Sequence, residues 1–336
     1  MIRSTRGAAL ALFALTAATA AEAQTAPSIY GLLDVSVARQ RPAGGRTAYR
    51  LDSGNMTESF IGIRGSDDLG GGLRARYQLE SFVRVDQGSA GRYPGDGFWS
   101  RDSFVGLQGA FGTTLLGRNT TPFFMATTSF NPFGESPGFS PSVRQYYGRA
   151  LLDDRSWSNS LSYTNNATDK DLKVNLAYNA AEGSPGSTGS NVGASAFYIM
   201  GPVVLSGAVQ RVRNSPLPLP PGFDRQDAWQ IGATWELQVV RLYAQGGQVR
   251  TEADTDVRTR LLQVGASVPL GRGSVLAAFG HAKTRAAGAR STDRSASVAY
   301  DYNLSKSTDL YAAYLNERLT GLSTGHGLAA GMRIRF

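Results

Sequence analysis

The chain has 336 residues, including 40 glycines, 14 tyrosines and 15 phenylalanines, and no cysteine, which excludes a disulfide framework and thiol chemistry. Its formal net charge is +8 and its mean hydropathy −0.22, values that suit a soluble chain but also a wall whose lipid-facing and water-facing residues alternate and cancel. All but Lys170, Lys173, Lys283 and Lys306 of the 34 basic residues are arginines, and the absence of a basic helix or zinc-finger spacing argues against nucleic acid as a partner.

The first element in the chain is a charged start with Arg3 and Arg6. An uncharged, mostly apolar run, Ala8–Ala21, follows, and then the small-x-small site Ala21-Glu22-Ala23. This order predicts a secretory signal over residues 1–23, with residues 24–336 as one domain. The run is shorter than the ~20 residues a spanning helix needs.

Beyond Gln24 the dominant signal has period two. At the C-terminus Leu328, Ala330, Met332, Ile334 and Phe336 share one parity; Gly327, Ala329, Gly331, Arg333 and Arg335 share the other. A strand sends these sets to opposite faces. The same alternation runs through Leu73–Glu80, Trp229–Trp235, Leu262–Val268 and Ser295–Leu304. The polar faces carry more charge than a closed soluble core could hold, so the apolar faces are expected to meet lipid.

Sixteen such segments can be read: 28–38, 58–69, 72–85, 101–109, 113–119, 157–164, 171–179, 191–200, 202–212, 226–236, 239–250, 257–268, 273–284, 293–304, 308–317 and 326–336. Most approach the ~9–11 residues of a tilted membrane strand. The expected fold is all-β, a 16-stranded antiparallel transmembrane β-barrel. Connections alternate between short ones, such as Gly109–Gly112 and Met200–Gly201, and long ones, such as Arg39–Thr57 and Arg285–Thr292. The longest, Thr120–Ser156, has no strand pattern and is a candidate to fold into the lumen. Aromatics such as Tyr30, Tyr163, Tyr198, Trp229, Trp235 and Tyr243 cluster near strand ends, where amphipathic rings suit a membrane interface.

Several stretches resemble the trimeric general porins of β-proteobacteria. They are Ile29–Asp34, Ile61–Leu73, Tyr77–Ser81, Phe104–Leu107 with Phe111–Thr113 and Leu116–Arg118, and the terminal Gly331–Phe336. The resemblance implies a homotrimer in outer-membrane lipid and lipopolysaccharide, with passive passage of ions and small hydrophilic solutes. It also implies an inward-folded third external loop that narrows the pore, where acidic loop residues face basic wall residues, and an anion preference. Phe336 corresponds to the family's aromatic terminus, the signal read by the barrel-assembly machinery.

The candidate basic residues of the constriction are Arg64, Arg74, Arg76, Arg101, Arg118 and Arg155, with Arg101 and Arg155 the preferred wall cations. The candidate acids of the loop are Glu135, Asp153 and Asp154. Arg144 and Arg149 also lie late in that loop. Phe60 and Ser162 stand where the family commonly has basic residues, which predicts a thinner basic cluster. The two histidines, His281 and His326, follow no metal spacing, and no catalytic set or cofactor motif stands out. Alternatives are a substrate-specific channel for an organic acid, sugar or aromatic compound, and a surface adhesin or structural barrel.

Overall fold

The computed structural model describes residues 26–165, 172–181 and 187–336; the predicted signal, 1–23, lies outside them. In chain order the strands are β1 (Ser28–Arg41), β2 (Ala48–Ser53), β3 (Phe60–Gly70), β4 (Leu73–Arg84), β5 (Ser89–Ala90), β6 (Ser103–Gly109) and β7 (Gly112–Thr120). Two short helices, α1 (Pro122–Ser129) and α2 (Pro141–Gln145), and a π-helical turn, Tyr146–Ala150, precede β8 (Ser156–Thr164). Then come β9 (Leu172–Asn179), β10 (Asn191–Met200), β11 (Val203–Val212), β12 (Arg225–Glu236), β13 (Arg241–Glu252) and β14 (Val257–Leu270). The last are β15 (Gly273–Ala286), β16 (Ala289–Asn303), β17 (Thr308–Leu319) and β18 (Gly325–Arg335).

All pairings are antiparallel and most join neighbours in the chain, and β18 returns to pair with β1, Leu32 opposite Arg335. Closure removes the free edges that an open sheet would expose. β2 and β3 occupy one position around the wall. β2 pairs with Val35–Gln40 of β1 and β3 with its Ser28–Leu32 half. β5 is a two-residue bridge on the end of β4, and β4 pairs directly with β6. The eighteen strands therefore make a sixteen-stranded transmembrane barrel.

The alternation seen in the sequence becomes the two faces of the wall. Ile29, Val37, Val105, Leu116, Val209, Ile231, Leu262 and Leu328 are exposed, whereas Ala208, Gln230, Gln263, Ser295 and Ala329 are buried. So large an apolar exterior suits hydrocarbon and not water. Among the described residues no helix is long and apolar enough to cross a membrane.

The chain closes at Phe336. Its backbone exchanges hydrogen bonds with Gly31, at 3.0 and 3.2 Å, and its ring covers that glycine. A Cβ on Gly31 would lie 2.8 Å from the ring and 2.5 Å from the Phe60 carbonyl oxygen, so only glycine fits beneath the terminal aromatic.

The structure corrects two connections expected to be long. Residues 285–292 are mostly strand, with a tight turn at Ala287-Gly288, and residues 39–57 contain β2. At 285–292 backbone pairing continues past the height at which apolar alternation stops, because strands extending beyond lipid need no apolar face, whereas β2 does alternate, Tyr49 and Leu51 against Arg50 and Asp52, but over only six residues. Residues 120–156 carry helical segments that period-two reading could not reveal. Thr121 and Ser140 cap α1 and α2, accepting from the amides of Phe124 and Val143, with Pro122 and Pro141 in the first turns.

Candidate functional site

Residues 54–59, between β2 and β3, form the first part of the site. Asp34 on β1 is fully buried and accepts hydrogen bonds from the Met56 and Thr57 amides, both at 2.7 Å, and from the Tyr311 hydroxyl at 2.7 Å. This holds the chain away from the sheet ladder and presents Asn55 and Glu58. The Asn55 carbonyl accepts from Ser136 Oγ at 2.8 Å and from the Gly138 amide at 3.1 Å. A Cβ on Gly138 would lie 2.7 Å from that carbonyl, so the close approach depends on glycine.

Segment 121–155 is fastened along a row of glutamines on the wall parity opposite the exposed apolar residues. Gln230 donates to the Phe123 carbonyl at 3.0 Å and accepts from Thr127 Oγ1 at 3.2 Å. Gln245 donates to the carbonyls of Thr127 and Phe130, both at 3.0 Å, and to Ser142 Oγ at 3.2 Å. Gln263 accepts from the Ser142 amide at 2.7 Å. Gln226 accepts from the Leu152 amide at 3.0 Å and donates to the Ala150 carbonyl at 3.1 Å. An uncharged amide both donates and accepts, so it can serve the loose backbone groups of short helices without burying a charge.

Ion pairs hold the middle and the C-terminal end of the same segment. Arg101 Nη1 lies 2.6 Å from Glu80 Oε2, Arg101 Nη2 lies 3.5 Å from Glu135 Oε2, and Glu80 Oε1 accepts from the Tyr30 hydroxyl at 2.6 Å. The Arg101 guanidinium stands 4.1 Å from the centre of the Phe60 ring. Phe60 thus serves as a cation–π platform for Arg101. Arg155 pairs with Glu58 and lies 4.4 Å from the centre of the Phe82 ring. Asp154 bridges Arg92 at 2.7 Å and Arg118 at 2.5 Å. Burial pushes the Asp154 carboxyl up, but the two guanidiniums outweigh it and hold the group below the usual range. On the far side Arg144 and Arg149 reach Glu317 at 2.9 and 2.8 Å, and Arg149 also pairs with Asp293.

Thus Arg101, Arg118, Arg155, Glu135, Asp153 and Asp154 gather in one region. A cleft of about 460 Å³ there is lined by Glu58, Arg92, Glu135, Arg144, Arg149 and Arg155, among others. Asp153 differs from its neighbours. It is buried and accepts from the Trp157 indole N–H and, at 2.8 Å, from the Asp154 amide. Burial pushes its carboxyl up to about 8, so it carries little charge at neutral pH.

Arg74 and Arg76 stand apart from this cluster, whereas Arg64 adjoins it through Tyr30, whose hydroxyl donates to Glu80. Arg64 is exposed, 4.3 Å from the centre of the Tyr30 ring. Arg76 is half-buried, in register with Ser66 and Gly106. Neither has a carboxylate partner among the described residues. Arg74 faces Asp68 at 3.7 Å beside the β3–β4 turn. Reasoning from the sequence missed Glu58, Arg92, Asp293 and Glu317 as partners. Only the last two carried a signal, since each lies on the polar parity of its strand.

A family profile for Gram-negative porins matches residues 8–322. The chain is a Gram-negative porin. It is an outer-membrane channel for passive passage of solutes. The outer membrane porin protein 32 of Delftia acidovorans is 30% identical to this porin over 313 residues, covering 90% of this chain and 86% of that protein. Major outer membrane protein P.IB of Neisseria gonorrhoeae is 32% identical over 151 residues, 43% of this chain and 41% of the relative. Among solved structures, the anion-selective porin from Comamonas acidovorans superposes with a TM-score of 0.78 at 26% identity, covering 92% of this chain and 99% of that one. A loop-deletion form of OmpT from Vibrio cholerae gives 0.75 at 12% identity, covering 92% and 99%, a likeness of fold alone. Among the porin's described residues no group of three or more His, Cys, Asp or Glu is placed to hold a metal.

Proposed function

We propose that this porin is a general diffusion channel, a homotrimer seated in outer-membrane lipid, in which residues 121–155 fold into the lumen and form the constriction. The observation that carries the reading is the glutamine row. Gln226, Gln230, Gln245 and Gln263 lie on the parity opposite the lipid-facing residues, and all four bind this segment. In this reading the loop acid Glu135 answers the wall cation Arg101, and the loop cations Arg144 and Arg149 answer the wall acids Glu317 and Asp293. Charges paired at such distances largely cancel for a passing ion. The preference for anions then comes from Arg64 and Arg76. The anion-selective character named for the Comamonas relative supports the same sign.

The chain has no cysteine, so Glu135→Cys supplies a single thiol. A bulky charged methanethiosulfonate reagent added to the aqueous phase is expected to cut single-channel conductance sharply in this variant and to leave the parent unchanged. Full labelling with no change of current would remove segment 121–155 from the conduction path.

A further inference from the structure

One position in the wall carries more chain than its partner strand can pair. β1 sets Val35 opposite Ser53 of β2 and Leu32 opposite Phe60 of β3, so Leu33 and Asp34 face residues 54–59, six against two, a surplus of four. An ordinary bulge adds one residue; a surplus of four leaves the sheet. Because the surplus is even, Leu51 before it and Ile61 after it both face outward. The excursion lies on the lumenal side, where Asn55, Met56 and Ser59 are buried and Met56 joins the apolar cluster of Phe133 and Phe139 from segment 121–155. Its ends meet, with Ser53 Oγ 3.0 Å from Ser59 Oγ.

Asp34 holds this shape with every polar atom it has. Its amide donates to Ser59 Oγ at 2.8 Å, and its carbonyl accepts from the Gly54 amide at 2.9 Å and from Ser59 Oγ at 3.1 Å. Oδ2 accepts from the Met56 and Thr57 amides, which have left the ladder and need acceptors. Oδ1 accepts from the Tyr311 hydroxyl. Tyr311 is on β17 and reaches Asp34 across β18, its ring lying over Gly331, where a Cβ would come within 2.5 Å of it. Arg333 of β18 donates to Thr57 Oγ1 at 3.0 Å and is itself held by Asp309 at 2.6 Å and by Asp301. An excursion near the start of the chain is therefore pinned by the last two strands, across the seam where the barrel closes.

We propose that residues 54–59 form a second constriction element, that Asp34 and Tyr311 are its positioning residues, and that it takes its place only when β18 closes on β1. Glu58 pairs with Arg155 and lines the cleft of about 460 Å³, while the Asn55 carbonyl holds Ser136 and Gly138. Glu58 thereby masks the charge of Arg155. Released from Asp34, the excursion withdraws both anchors from segment 121–155. The passage then widens, and an unmasked Arg155 draws anions more strongly. Closure of the seam thus sets the width of the finished pore and the strength of its ion preference together. The inference rests in part on the reading of segment 121–155 as the constriction, and labelling at Glu58 separates the two.

The test is bilayer recording of the refolded porin under a salt gradient. Tyr311→Phe removes one hydroxyl and keeps the ring over Gly331. Asp34→Ala removes both side-chain oxygens. Asp34→Asn is the conservative rescue, since its amide oxygen accepts from the two backbone amides and its N–H donates to the Tyr311 oxygen. Asp34→Ala is expected to raise conductance and to raise the anion-to-cation permeability ratio several-fold, Tyr311→Phe to do so less, and Asp34→Asn to stay near the parent. Glu58→Gln should give the same selectivity shift as Asp34→Ala. A residue that only stabilised the barrel would lower its melting temperature and leave the reversal potential alone. Unchanged reversal potentials in Asp34→Ala, Tyr311→Phe and Glu58→Gln overturn the proposal. Glu58→Cys labelled with a bulky charged methanethiosulfonate should lose conductance; full labelling with no change of current also overturns it, a comparison that stands even if Asp34→Ala does not fold. Block at Glu58→Cys with none at Glu135→Cys supports the second element and removes the first.

Discussion

Gln245→Leu isolates the hold of the wall on segment 121–155. The side chain is buried and donates to the Thr127 and Phe130 carbonyls at 3.0 Å and to Ser142 Oγ at 3.2 Å. Leucine roughly keeps the volume and removes all three bonds. Two of the acceptors retain partners: the Thr127 carbonyl still accepts from Asn131 Nδ2 at 3.0 Å, and Ser142 Oγ lies 3.3 Å from Ser140 Oγ. The Phe130 carbonyl loses the donor that Gln245 supplies. One stranded buried acceptor costs about 1–3 kcal/mol, so the segment is destabilised by about 2 kcal/mol. At 1.4 kcal/mol per tenfold, its displaced states gain about thirtyfold in population. The ladders of β12 to β14 are untouched, so the melting temperature of the barrel should hardly move. Bilayer recordings should show larger open-channel noise and a higher mean conductance. A variant with wild-type conductance and noise would refute the claim that this amide row positions a constriction.

Three further outcomes are expected. Arg64→Gln with Arg76→Gln should lower the anion-to-cation permeability ratio several-fold toward one, since a unit charge about 4 Å from an ion in water contributes ~1 kcal/mol; an unchanged reversal potential removes these residues from the account. Asp153, raised to about 8 by burial, is favoured in its protonated form. Its ionisation therefore costs stability most above pH 8, and the cost is relieved as pH falls toward the ordinary value of 3.8. Trp157 fluorescence should titrate near pH 8 and lose that step in Asp153→Asn; a step that survives the substitution assigns it to another group. Phe336→Ala uncovers Gly31 and is expected to slow assembly into vesicles, followed by gel mobility without heating, with little effect on conductance once folded; assembly at the wild-type rate would count against a role for the terminal ring.

The wall was legible because each of its residues must choose lipid or the opposite face, and the choice repeats every second position. Leu328, Met332 and Ile334 against Ala329 and Arg333 is enough to place β18. Where strands pass beyond lipid that constraint lapses, which hid the tight turn at Ala287-Gly288, while β2 alternates over too few residues to stand out. Segment 121–155 has no such rule. Its short helices are held by side chains far away in sequence, so period counting offers no purchase on them. Gln230 and Gln263 were visible as polar positions, yet their use as backbone partners required the fold. Arg101 and Glu135 could be chosen by residue type and position. The pairing of Arg155 with Glu58 could not, because Glu58 lies in the irregular break between β2 and β3. Arg92 is likewise in an aperiodic loop, and only the fold brings it to Asp154.

The account is tested most directly by recording the refolded porin in a planar bilayer under a salt gradient. It predicts discrete conductance steps in groups of three, with a reversal potential that reports chloride passing more readily than potassium. A folded barrel that carries no current, or one that favours potassium, would contradict it.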